Sequence, residues 1–314
     1  MNTKTMQLLI ERTLHMNRIW RYLSVFATIM ILIVVLMGAL VTNTGSQAGC
    51  GSSWPLCNGE MIPTEAQKHT IIEVSHRYVT GITGIAVVIQ AVWVWFKWRS
   101  KETRILAVSS VFFLVLQALL GAAAVIWSQS SYVLALHFGI SLLSFASVLL
   151  ITIVVFEKTY WKTGRISFDL SKGVKWNFVL LGIYTYILVY SGAFVRHTDS
   201  SLGCTDFPRC NGEWIPPIVS RAGIQYLHRV LALILVIWLI GTLIYLLKKH
   251  KDIPLLSIGL LIAIIFVFLQ ALSGIFIIQT NMMLVFLLLH AFFVTCFFGI
   301  LVGLTMVTLR KHTK

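Results

Sequence analysis

The chain has 314 residues, 58% of them hydrophobic and only 11% charged, and its mean hydropathy is +0.86. That composition reads as an integral membrane protein, not a water-soluble domain. The formal net charge of +14 raises a nucleic-acid partner, which the distribution of the charges along the chain excludes.

A bilayer-spanning helix needs roughly 20 apolar residues. Eight segments meet that length, near 20–41, 71–96, 105–127, 132–156, 176–195, 223–247, 254–278 and 283–309. The first 18 residues are polar and the first apolar run is long enough to span, so no cleavable signal peptide is expected. Eight spans put both termini on one side. That side would carry Lys4, Arg12, Arg18, Arg21, Lys97, Arg99, Lys101, Arg104, Lys158, Lys162, Arg165, Lys172, Lys175, Lys248, Lys249, Lys251, Arg310, Lys311 and Lys314, which is 19 of the 25 Lys and Arg residues. This positive-inside bias places the termini in the cytoplasm of a bacterial cell and makes the lipid bilayer the partner of the basic charge.

The loop after the first span carries Cys50 and Cys57, and the loop after the fifth carries Cys204 and Cys210. Both loops then lie outside, where closely spaced pairs read as local disulfides. A zinc site is the rival, but neither pair has C-x2-C spacing and no histidine lies at a finger-like distance. Cys296, in the eighth span, reads as a small core residue.

The second span opens with "IIEVSHRYVTGITG", which sets Glu73, His76 and Arg77 at membrane depth. Ionisable groups there mark sites of binding or reaction. Gly81 and Gly84 follow, and small residues let a helix approach a flat ring or another helix.

The fifth to eighth spans repeat the first four. "GALVTNTGS" from Gly38 aligns with "GAFVRHTDS" from Gly192, and "WPLCNGEMIP" (54–63) with "FPRCNGEWIP" (207–216). "HRYVTGI" from His76 aligns with "HRVLALI" from His228, "LQALLGAAAVI" from Leu116 with "LQALSGIFII" from Leu269, and His137 with His290. The expected architecture is all-α: two tandem pseudo-symmetric four-helix bundles, 1–157 and 176–314, joined by a cytoplasmic linker at 158–175.

Nine histidines occur, and His15, His69, His197, His250 and His312 fall in predicted loops or tails. The other four, His76, His137, His228 and His290, lie one in each even-numbered span. His76 sits about five residues from the outer end of its span, roughly 8 Å deep at 1.5 Å per residue. Two histidines at matching depth in a four-helix bundle can ligate one planar metal macrocycle from both faces. A non-haem metal remains open, since imidazole suits iron, copper and zinc, but haem explains both halves. Arg77 and Arg229, each directly after a histidine, would face haem propionates or snorkel to the headgroups.

The halves differ at Glu73. It precedes His76 by three residues and shares its helix face, whereas the aligned residue is the uncharged Gln225. A carboxylate in one half only can move protons or stabilise charge beside a reacting group, or serve as a hydrogen-bond acceptor between helices.

These residues together resemble the haem A synthase family, in its Gram-positive type with paired loop cysteines. The resemblance rests on "EVSHR", the histidine of span four, the duplicated eight-helix bundle and the cysteine-paired loops, and it covers nearly the whole chain. It implies oxidation of the C8 methyl of haem o to a formyl group, giving haem a through two hydroxylations and loss of water. It implies that His76 and His137 bracket the substrate haem, with Glu73 essential nearby. By the same resemblance His228 and His290 hold a resident haem b cofactor, Cys50–Cys57 bears on activity, and haem O synthase supplies the substrate. The electron donor is not named by any residue. The alternative is a bis-His membrane cytochrome b relaying electrons from quinol without modifying haem; a haem carrier or exporter is a further rival. A prenyltransferase is disfavoured, because no Asp-rich pair is present to hold magnesium and diphosphate.

Overall fold

The computed structural model describes residues 3–64, 67–126, 131–161 and 166–311, and for 3–15, 131 and 132 the backbone alone. Lys162, Arg165, His312 and Lys314, and the side chains of Lys4, Arg12 and His15, therefore lie outside the described residues. Among the described residues eight α-helices follow in order: α1 (Thr3–Asn43), α2 (Lys68–Lys97), α3 (Lys101–Ile126), α4 (Ser131–Thr159), α5 (Lys172–His197), α6 (Arg221–Lys249), α7 (Pro254–Gln279) and α8 (Leu284–Leu309). All eight are long and apolar enough to cross a membrane. With no water in the bilayer core, helices satisfy every backbone group within the segment. Ser171 and Ser220 cap α5 and α6 by accepting the Val174 and Gly223 amides, and Pro254 opens α7.

The helices overrun the predicted spans at their polar ends. α2 begins at Lys68, so His76 lies eight residues into the helix, not five. Hydropathy sees only the apolar run, whereas the backbone ladder continues into the flanking polar turn. His69 is likewise helical and bonds Ser46 Oγ at 3.0 Å.

α1 packs on α2 and α4, and α3 fills the remaining side between α2 and α4; α5 to α8 repeat that ring. The tandem bundles meet through α1, α4, α5 and α8. Leu142, Ala146, Val189 and Phe298 form a buried cluster at the seam. Glycines set the close approaches there. A methyl group at Gly299 would come 2.8 Å from Phe145 and Leu149, and one at Gly139 would meet the Tyr190 ring.

The polar end that bears the termini holds an unexpected ion cluster. Glu157 and Glu102, expected in loops, belong to α4 and α3, and Glu157 is only 3% exposed. Arg310, also 3% exposed, bonds both Glu157 oxygens at 2.5 and 2.9 Å, Glu102 at 2.7 Å and the Ile166 carbonyl at 3.0 Å. One guanidinium thus fastens the end of α8 to two helices of the first bundle and to the linker. Counting charges in cationic segments could not separate this arginine from its solvated neighbours.

Candidate functional site

At the other end, each cysteine loop folds back over its bundle. Cys50 is bonded to Cys57 and Cys204 to Cys210. Inside each loop an Asn-Gly pair turns the chain with positive φ at both residues, 54° and 85° at Asn58 and Gly59, 55° and 79° at Asn211 and Gly212. Those angles suit a two-residue hairpin, closed by backbone pairing of Cys57 with Glu60 and of Cys210 with Glu213.

The helix below holds each loop by the same three bonds' worth of machinery. Glu73 Oε2 accepts the Cys50 amide at 2.9 Å, and Gln225 Oε1 accepts the Cys204 amide at 2.5 Å. Arg77 Nη1 donates to the carbonyls of Ser53 (2.9 Å) and Leu56 (2.8 Å). Arg229 Nη1 donates to Asp206 (2.9 Å) and Arg209 (3.1 Å), the aligned positions. The halves part at the second guanidinium nitrogen. Arg77 Nη2 is paired with the Glu73 carboxylate, whereas Gln225 gives its own amide to Ser201 and leaves Arg229 Nη2 buried without a partner.

The four span histidines lie against glycines of the preceding helix. A methyl group built on Gly38, Gly121, Gly192 or Gly274 would sit 3.6, 3.2, 3.1 or 3.4 Å from the imidazole of His76, His137, His228 or His290 respectively. His76 and His137 lie within electrostatic reach of one another, as do His228 and His290. Gly81 and Gly84, the glycines singled out from sequence, have a different place. A methyl at Gly81 would touch nothing within 4 Å and one at Gly84 only Leu114 at 3.9 Å, and both glycines line the cavity wall.

All four histidines, with Glu73, Gln225, Arg77 and Arg229, line one apolar cavity of about 1600 Å³ that runs across both bundles. His197 is not in a solvated loop: it ends α5 and lines the same cavity beside Arg196, whose Nε is buried and unpartnered. The aligned residues of the first half are Asn43 and Thr42, a difference the repeat alignment already displays. Among the described residues no group of three His, Cys, Asp or Glu could hold a bare metal ion. Paired imidazoles without a third donor suit an iron whose equatorial nitrogens come from a porphyrin. The glycine seats, the apolar walls and the orphaned Arg229 donor fit that group.

Residues 21–302 match the cytochrome oxidase assembly protein family. The chain belongs to this family. It is similar to the heme A synthase of Bacillus licheniformis, 47% identical over 289 residues, covering 91% of this chain and 95% of the relative. Heme A synthases of Geobacillus kaustophilus and Bacillus cereus are 43% and 44% identical over 300 residues, covering 95% of this chain and 94% and 96% of theirs. The family match thus takes in α2 to α7, parts of α1 and α8, both cysteine loops and all four cavity histidines.

Proposed function

We propose that the chain is a haem A synthase, a membrane oxidoreductase converting the C8 methyl of haem o to a formyl group by successive hydroxylations. The observation that carries this reading is the shared cavity, in which two histidine pairs of one duplicated scaffold meet surroundings of different polarity. The names of the relatives support it over electron relay alone.

In this reading His76 and His137 hold the substrate haem in the N-terminal half (1–157), and His228 and His290 hold haem b in the C-terminal half (176–314). The resident haem supplies one-electron chemistry when bound. Arg229, with a free buried donor, binds a propionate of that haem, and Arg77 lies where it can serve the substrate. Glu73, 3% exposed and beside Arg77, is a carboxylate able to accept a proton at the cavity wall or to steady positive charge during oxidation of the methyl. The apolar walls exclude water from that event. The termini are cytoplasmic and the cysteine loops and haem sites outward, as the cationic segments indicate. Haem O synthase, which makes the substrate, is the upstream partner.

An electron-relaying cytochrome b would use the same four ligands, but it gives no reason for an ionised pair in one half alone. The test is pigment extracted from host membranes that make haem o but lack a haem A synthase. Expression of this chain should convert haem o to haem a; persistence of haem o alone, with the protein folded in the membrane, would leave the relay reading.

A further inference from the structure

Of the four cavity histidines that repeat between the halves, His228 and His290 carry a hydroxyl on Nδ1, and His76 and His137 do not. Ser191 Oγ lies 2.7 Å from His228 Nδ1, and Ser273 Oγ lies 3.0 Å from His290 Nδ1. Each serine immediately precedes the glycine that seats its imidazole. The aligned residues ahead of Gly38 and Gly121 are Met37 and Leu120. Their side chains offer no such acceptor, and the Nδ1 atoms of His76 and His137 are buried with no partner. The Gln117 carbonyl is near His137 but outside hydrogen-bonding geometry.

The serine contacts match one imidazole tautomer. A hydroxyl has one hydrogen to give, and each serine gives it to its own helix: Ser191 to the Leu188 carbonyl at 2.7 Å, Ser273 to the Gln270 carbonyl at 2.8 Å. With the hydroxyl hydrogen so placed, the serine oxygen accepts from an Nδ1–H, the tautomer that a carbonyl partner independently requires at His290. At His290 the Gln270 carbonyl, which can only accept, adds a second partner at 3.1 Å. Nε2 is left with its lone pair free for iron. An acceptor on the far nitrogen fixes a ligand's orientation and raises its basicity, and loss of such a partner typically weakens metal binding by roughly 10–100-fold.

We propose that Ser191 and Ser273 are positioning residues that make the C-terminal half the permanently occupied porphyrin site, while Met37 and Leu120 leave the N-terminal pair able to release its porphyrin after each turnover. This rests on the reading that each histidine pair holds one iron porphyrin. A substrate site must let go; a cofactor site must not. The duplicated scaffold separates the two by exchanging one hydroxyl for one apolar side chain at each ligand.

The experiment uses the full chain purified with haem b bound, in the parent and in Ser191→Ala/Ser273→Ala. Three quantities are read: bound haem, its rate of loss to an excess of an apo-globin acceptor, and its midpoint potential. The alanine variant should lose haem faster by roughly 10–100-fold. Its potential should rise, because a less basic imidazole stabilises ferric iron less. Ser191→Thr, which keeps a hydroxyl, should stay near the parent, and Met37→Ser/Leu120→Ser should slow haem loss from the N-terminal half. An alanine variant with parental potential and loss rate overturns the proposal. His228→Ala separates the two layers: if it keeps a full bis-His signal, the ligand reading itself is wrong and the proposal falls with it.

Discussion

Glu73 and Gln225 make the same bond from the same place: each accepts the amide of the first cysteine in the loop above it. The acid is therefore not needed to hold the loop, since an amide holds the equivalent one. What it adds is the ion pair to Arg77, which in the other half has no counterpart and leaves Arg229 Nη2 free. Glu73→Gln should keep the Cys50–Cys57 loop and the haem content while product falls by about 10²-fold or more, the range of a lost acid–base group. The assay is haem a formed per bound haem in membranes. Loss of haem in step with product would instead make Glu73 a structural anchor.

The glycine seats predict a graded series. Gly121→Ala and Gly192→Ala bring a methyl to 3.2 and 3.1 Å from an imidazole that is itself packed. Shifting either ring should cost about 1–3 kcal/mol and lower haem occupancy in the corresponding half. Gly38→Ala, at 3.6 Å, is ordinary contact and should be milder. Gly81→Ala, with nothing within 4 Å inside α2, should hold or raise the protein's stability, by up to about 1 kcal/mol. Haem-to-protein ratio and thermal unfolding of the four variants, side by side, check the order.

The repeat made the site legible before any coordinates. Four histidines paired at offsets of 152 and 153 residues, an acid at membrane depth in the second span and two cysteine pairs all reach the cavity or its lid. What sequence could not rank was the use of each group within that set. Gly81 and Gly84 resemble packing glycines as closely as Gly121 and Gly192 do, because a one-letter code does not say which helix lies opposite. Ser273 was visible as a substitution within an aligned stretch and Ser191 stands directly before one, yet their meaning depends on an imidazole brought from another helix. Glu157 and Arg310 lie 153 residues apart, and only the seam between bundles joins them.

That buried ion cluster is a seam fastener. Arg310 serves Glu157, Glu102 and the Ile166 carbonyl together. Removing it strands a buried carboxylate, and breaking a buried pair from one side costs about 3–5 kcal/mol. Arg310→Met should therefore lower thermal stability and loosen the two halves. Glu157→Gln, which still accepts a hydrogen bond, should cost less. Both variants should keep bis-His haem spectra, since the cluster lies at the opposite end from the histidines. Unfolding monitored by tryptophan fluorescence alongside the haem spectrum distinguishes a failure of the seam from a failure of the site.

The cysteine loops predict different responses to acid. Asp206 takes the amides of Gly212 (3.0 Å) and Asn211, and these bonds, the Gly212 one foremost, hold its carboxyl below the ordinary value. A group whose pKa is lowered by folding contributes stability above its unfolded pKa, and that contribution fades as pH falls through the folded one. The C-terminal hairpin should thus be firm above about pH 4, the ordinary carboxylate range, and loosen below it. The aligned residue of the other loop is Ser53, which bonds the Cys50 carbonyl at 2.9 Å and does not titrate there. Deuterium uptake, corrected for intrinsic exchange, should rise in acid across 203–213. It should rise less across 57–60, where the Cys57, Asn58 and Glu60 amides bond backbone carbonyls. Asp206→Asn should erase the difference, and an equal response of both loops in the parent would show that the Asp206 bonds do not govern the hairpin.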